Sequence, residues 1–262
     1  SYFNSYSLKS DDGGWAELIE LIYTLNFNPG QLGEYLNIDR VLWAFAVNTV
    51  LANYDTYNGY NVRNYYFYQT EDGLFQMIPW DLSESFLGGI MGWSYWNPSD
   101  VYEFDPYFGA DPIEFLGNTY IRPLTQQILN DPIYRKQYTA HIRTVINESM
   151  DVNELSSLVS QLQDLAYHAA SSDSNKLFEM SQYSSNVQSP LWMDWNNDGI
   201  TSDDSGFGGI LSTVNERKNY LLSHPEISMI PPVISNVSIQ GNSISAELAN
   251  ASEVDLMGTI SE

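Results

Sequence analysis

Two acids stand where a side chain can act rather than pack. Asp55 follows a strongly apolar stretch that runs from Val41 to Leu51. Asp81 follows a pair of short aromatic segments, Asn64–Gln69 and Leu74–Ile78, and Asn64 opens the first of them. A carboxylate held beside a hydroxyl can orient it and take its proton. Carboxylate and amide oxygens also suit a hard divalent cation such as Mg²⁺, which itself binds phosphate oxygens. The same two positions equally suit bland tasks: an Asp after a helix makes turns, and an Asp after a hairpin caps the next helix.

The order is an acid, an Asn, a short hairpin, a second acid, and a loop carrying Phe86, Gly88 and Gly89. Protein-kinase-like phosphotransferases use that order, with the first Asp on the attacking hydroxyl and the Asn and second Asp on metal ions. Other chemistry has weaker support. Asp194, Asn196 and Asp198, with Gly199 following, match the opening of a calcium loop. The closing acid of such a loop falls on Ser205, with Asp203 and Asp204 just before it, so the motif is incomplete and also reads as an Asx-rich turn. His141, His168 and His224 have no metal-ligand spacing, and no GxSxG supports a hydrolase triad. His141 and His168 read as helix-surface residues. The aromatic run Trp93 to Pro98 packs a loop or stacks a sugar or peptide.

The elements that must position these residues can be read from hydrophobic period and punctuation. Trp15, Leu18, Ile19, Ile22 and Leu25 mark a helix that Asn28-Pro29-Gly30 ends. A second helix, capped at Asn37 or Asp39, runs to about Leu51, apolar on almost every face and polar at its far end, where Asn48, Asn53 and Asp55 lie. The aromatic segments form a β-hairpin around Glu71-Asp72-Gly73. Residues 83–117 read as one long ordered loop. Helices are expected over Ile121–Leu129, Pro132–Ser149, Asp151–Ala170 and Gly209–Leu222, with an irregular polar stretch over 171–205. Beyond His224, Pro231-Pro232 signals a linker, and the alternation from Val233 to Leu248 reads as the start of a β-sandwich too short to complete one.

Composition narrows the setting. The 262 residues are 43% hydrophobic and 14% aromatic, ample for a core. Lys and Arg total 10 against 33 Asp and Glu, a formal charge of −23 that repels nucleic-acid backbones and anionic membranes. Cysteine is absent, which removes disulfides, Cys-zinc sites and thiol chemistry. No apolar run reaches membrane-span length. The first residues have neither the basic start nor the apolar run of a signal peptide, and the chain is expected to begin inside a longer protein.

The wording of two segments adds to this. Trp43-Ala44-Phe45-Ala46-Val47-Asn48-Thr49-Val50-Leu51-Ala52-Asn53-Tyr54-Asp55-Thr56-Tyr57 resembles a stretch of the CotH (spore coat protein H) kinase-like family. So does Asn64-Tyr65-Tyr66-Phe67-Tyr68 followed by Ile78-Pro79-Trp80-Asp81-Leu82-Ser83-Glu84-Ser85-Phe86. The Trp15–Leu25 helix and the helix holding Arg217 resemble it too, so the likeness spans roughly Trp15 to Leu222. It implies an atypical protein-kinase fold and ATP- and Mg²⁺-dependent phosphorylation of protein Ser, with Asp55 as catalytic acid/base and Asp81 on the metal. Asn64 as a second metal ligand extends from the general kinase layout. Asn53, Arg63 and Ser83 are further site candidates. Arg63 stands where the family often has His, and Ser83 where it often has Asn, a stronger metal ligand. No GxGxxG precedes Asp55, and Lys9 is the only Lys there.

The expectation is therefore an α+β, mainly helical chain. Residues 1–224 form the C-lobe-like portion of a kinase-like domain without its N-terminal lobe, 225–232 a linker, and 233–262 the start of a β-rich, Ig-like domain. ATP and Mg²⁺ are the expected cofactors, with Ca²⁺ as a further candidate. The expected partner is a basic, Ser-rich protein substrate, with no nucleic acid. The expected setting is extracellular or at the cell surface. The rival expectation is a surface adhesion or binding module that keeps the fold and does not transfer phosphate.

Overall fold

A computed structural model describes residues 5–10, 14–86, 98–115, 117–176, 178–192, 206–229, 234–239, 242–243 and 257–260. The chain is mainly helical with small antiparallel strand pairs. It divides into two units, Ser1–Ile227 and Ser228–Glu262.

The first unit is built around helix α2 (Ile38–Val50), whose Asn37 cap accepts a bond from the Arg40 N–H. Nine of its side chains are buried, among them Val41, Leu42, Phe45 and Val50 with no exposure at all, so the all-round apolar reading holds over most of its surface. Each such side chain contributes about 1.5–3 kcal/mol by leaving water. Helix α5 (Pro132–Ser149) supplies the partner face with Ile142 and Ile146. It starts cleanly because Asp131 accepts from the N–H groups of Ile133 and Tyr134, and Pro132 occupies its first position. His141 is not a bare surface residue: it stacks on Trp43 at 4.0 Å and bonds Asp39 at 2.8 Å, tying α5 to α2. His168 is exposed, as expected. Helix α1 (Trp15–Phe27) closes one side of the core with Leu21 and Leu25.

Strands β1 (Tyr65–Gln69) and β2 (Phe75–Pro79) pair antiparallel, Tyr65 opposite Pro79 and Gln69 opposite Phe75. Their turn needs Gly73, whose φ is +88°, and Asp72 steadies it by accepting from Thr70 and the Leu74 N–H. Phe75 and Met77 bury one face. The closed end of the hairpin docks just before α2: Phe75 N–H donates to Tyr35 O, and Asn37 N–H to Phe75 O.

The stretch expected as one long loop carries structure. Helix α3 (Pro98–Tyr102) and a hairpin of β3 (Ile113–Phe115) with β4 (Asn118–Tyr120) interrupt it. Short, weakly periodic elements like these leave little signal in sequence. Helices α4 (Pro123–Asn130), α5 and α6 (Val152–Ser172) fall where expected, α6 capped by Asp151. The region expected to be irregular contains α7 (Met180–Ser185) and β5 (Leu191–Trp192), which pairs with β6 (Gly206–Phe207). Helix α8 spans Ile210–Ser223.

Residues 225–228 form α9 (Pro225–Ser228), Ile227 is fully buried in the first unit's core, and Glu226 pairs with Arg135 at 2.5 Å. The second unit is a three-stranded antiparallel sheet of β7 (Ile234–Ile239), β8 (Asn242–Ser243) and β9 (Met257–Ile260), with β7 central. The aromatic run 93–97 and the calcium-loop candidates Asp194, Asn196 and Asp198 lie outside the described residues.

Candidate active site

The C-terminal end of α2 and the open end of the hairpin supply the parts. Past Leu51 the chain turns through Ala52, at φ +53°, into the loop that carries Asp55. That loop is braced from several directions. Asn58 donates to Phe45 O and Thr49 Oγ1, Asn48 to Thr56 Oγ1, and the Tyr60 N–H to Tyr54 O at 2.7 Å. Gly59 is required for this closure: a Cβ there would stand 2.0 Å from Tyr54 O.

Two buried arginines hold the same loop from below. Arg217, with no exposure, donates to Thr49 O, Tyr102 O and Phe104 O, joining α8 to the end of α2 and to α3. Arg122 donates to Tyr57 O and Tyr60 O. Neither meets a carboxylate in these bonds: each guanidinium donates to main-chain carbonyls at helix ends and in loops. Thr49 O belongs to the last turn of α2, where a cation also meets the negative end of the helix dipole.

Asp55 is buried, with its side chain 6% exposed, and is surrounded by donors. Oδ1 accepts from Asn61 Nδ2 at 2.9 Å and Arg63 Nε at 2.7 Å. Oδ2 accepts from Arg63 Nη2 at 2.7 Å and Asn64 Nδ2 at 2.9 Å. Burial alone pushes this carboxyl up, but the Arg63, Asn61 and Asn64 bonds outweigh it and hold it below the usual carboxylate range.

Asn64 links the two acids. Its φ is +58°, its Nδ2 reaches both the backbone O and the carboxylate of Asp55, and its own O accepts from the Trp80 N–H. Because β1 and β2 pair up to Tyr65 and Pro79, residues 64 and 80–81 necessarily meet at the hairpin's open end. Asp81 follows, exposed, at φ +51°. The hydroxyl and N–H of Ser83 both donate to Asp81 Oδ1, at 2.7 and 3.2 Å, and hold its carboxyl low. The charge of Asp55 reaches Asp81 and opposes that effect. Phe86, at φ +67°, returns the chain to α2 by donating its N–H to Leu51 O at 2.7 Å.

Ala52, Asn64, Asp81 and Phe86 are the non-glycine residues with positive φ among those described, and all four belong to this one place. Left-handed backbone at a non-glycine residue costs about 1–3 kcal/mol and persists where the surroundings force it, most often at functional sites.

The structure thus brings Asp55, Arg63 and Asn64 into contact and sets Asp81 and Ser83 beside them. Asn53 is turned into the body, where it donates to Asn48 Oδ1 at 3.1 Å, and its own Oδ1 is buried without a partner. Two residues were missed by sequence reasoning. Asn61 is a direct donor to Asp55. Glu84 is half-buried, its Oε2 is enclosed without a hydrogen-bond partner, and burial together with the charges of Asp55 and Asp81 raises its carboxyl. The acidic residue three places after Asp81 was the available signal.

Among the described residues no three His, Asp or Glu side chains form a ready-made metal cage. The oxygens chemically suited to a hard cation here are the exposed carboxylate of Asp81, the orphaned carboxylate oxygen of Glu84, and the amide oxygen of Asn64, whose nitrogen is already committed to Asp55. Mg²⁺ is typically held by one or two carboxylates plus phosphate oxygens.

A family model described as "CotH kinase protein" matches the chain over residues 2–195. No curated protein matches the chain.

Proposed function

The chain belongs to the CotH kinase family, and from that premise we propose that it is an ATP- and Mg²⁺-dependent phosphotransferase acting on Ser hydroxyls of a protein substrate. The observation that carries the reading is the gathering of Asp55, Asn64 and Asp81 at the one place where the four strained backbone positions Ala52, Asn64, Asp81 and Phe86 lie. In this reading Asp55 orients the attacking hydroxyl and takes its proton as the new bond forms. A carboxylate held below its usual range is a weak base, so orientation is its larger contribution. Asp81 and Asn64, with Glu84 behind them, would hold Mg²⁺. Bound Mg²⁺–ATP supplies the phosphoryl group and neutralises its charge. The helical body would correspond to the C-lobe-like part of a kinase fold, and the acidic chain would attract a basic substrate. The extracellular setting stays part of the proposal.

The test is a paired measurement on the full-length protein, Mg²⁺–ATP binding and phosphate transfer to a basic Ser peptide. Asp55→Asn should keep nucleotide binding and lose transfer by ~10²–10⁴-fold, the range of a positioned acid–base group. Asp81→Asn should weaken metal-dependent nucleotide binding itself. Transfer by Asp55→Asn at the parent rate would remove the base assignment. A second reading, a binding module without phosphotransfer, is favoured by the donors that already surround Asp55. It becomes the better one if the parent protein binds no nucleotide.

A further inference from the structure

Asp55 carries four hydrogen bonds from three side chains: one from Asn61, two from Arg63 and one from Asn64. A carboxylate offers about four acceptor positions, so a substrate hydroxyl finds none open. Asn61 and Asn64 are short and partly buried, and Asn64 is fixed again through Asp55 O. Arg63 is different. Its side chain is 64% exposed on a long flexible stem, and it fills two of the four positions. It is also the positive charge on which Asp55, Glu84 and Asp81 all act.

We propose that Arg63 is a resident cation of the site, which covers Asp55 until a divalent cation settles on Asp81 and Glu84 and the guanidinium swings out to solvent. A divalent ion on Asp81 and Glu84 repels the guanidinium beside it, and it gains more from those carboxylates than a guanidinium does. Departure of Arg63 vacates two acceptor positions on Asp55, so the site opens to a hydroxyl only when it is metal-loaded. Arg63 is then a positioning residue that acts through Asp55. This rests on the phosphotransferase reading for its purpose, but the competition itself is a property of the chain alone.

The test uses Mg²⁺ and Mn²⁺ without nucleotide. In the native chain the Arg63 Nε–H resonance, assigned by its loss in Arg63→Lys, should start at a carboxylate-bound position. It should move toward that of free arginine as Mg²⁺ is added, and not with K⁺ at matched ionic strength. By electron paramagnetic resonance, Arg63→Ala should bind Mn²⁺ more tightly, roughly tenfold, the order expected on removing one like charge beside a partly screened site. A merely structural brace predicts the opposite sign, because its loss loosens the site. An Arg63 signal that Mg²⁺ moves no further than K⁺ does, or Mn²⁺ binding that is equal or weaker in Arg63→Ala, overturns the proposal. Neither readout depends on phosphate transfer, so failure of the phosphotransferase reading is seen separately.

Discussion

Asp55 and Glu84 feel the same neighbourhood with opposite results. Asp55 has donors on both oxygens and is held low, whereas Glu84 has an enclosed oxygen with no donor and is pushed up by burial and by two nearby carboxylates. The signs of their contributions to stability follow. An acid whose folded pKa is depressed stabilises the fold above its unfolded value, about 3.9 for Asp, and that contribution is lost as pH falls through the lower folded value. An acid whose folded pKa is raised does the reverse: the penalty is absent below about 4.3 for Glu and grows as pH rises toward the folded value. Glu84→Gln should therefore raise the melting temperature near neutral pH, with the gain gone at pH about 3.5. Melting curves at the two pH values check this, and equal gains at both would show that Glu84 is not destabilised by its charge. Such a stability cost borne by a site residue is common where function sets the side chain.

At the scale of elements, the site is a junction of α2, the hairpin's open end and the chain that follows it, and the buried arginines are its fasteners. Arg217 alone answers three carbonyls, at the end of α2, at the end of α3 and at Phe104 just beyond it. Replacing it with Met keeps much of the volume and removes the side-chain donor from all three carbonyls, Thr49 O keeping the long bond from the Ala52 N–H, at about 1–3 kcal/mol for each group that water cannot reach. Arg217→Met should thus destabilise by ~3 kcal/mol or more in a denaturant titration. Arg217→Lys should recover only part of the loss, since an ammonium cannot reproduce the guanidinium's fork. Gly59→Ala tests the same loop from the other side. The added methyl meets backbone rather than a flexible side chain, so the Asp55 loop must move. On the proposed phosphotransferase reading, transfer should drop by at least ~10²-fold, the usual result of misplacing a reacting group by about 1 Å. Activity at the parent level would mean that the loop tolerates displacement.

At the scale of the molecule, the first unit ends where its core ends, at Ile227. A chain stopped after Ser228 should keep the main unfolding transition of the longer chain. A chain stopped after His224 loses Ile227 from the core and Glu226 from Arg135, and should fall in stability by about 2–3 kcal/mol, mostly from the apolar side chain. Calorimetry of the three lengths decides the matter, and equal transitions for the two shorter chains would place the boundary before Pro225. The charge of −23 acts at this scale as well, as a field that draws cationic partners and weakens with salt.

What the sequence determined by itself is what depends on local period, punctuation and motif. The α1, α2, α5, α6 and α8 helices, the hairpin with its Gly73 turn, the Asn37 and Asp151 helix starts, and membership in the CotH kinase family were all open to reading. Asp55, Asn64 and Asp81 were singled out because their spacing follows element ends, and element ends are where loops carry chemistry. Short elements such as α3, β3 and β4 were missed, being too brief for a period to show. Only the tertiary structure could decide what each charge meets. Arg63 stands on Asp55 because the loop after Tyr60 folds back, and Arg217 reaches Thr49 from a helix far along the chain. Glu84 has an enclosed oxygen without a hydrogen-bond partner, two residues before Phe86 bonds Leu51. Hydrogen bonds and charge interactions depend on distance in space, and a linear spacing does not contain that distance until the core has packed.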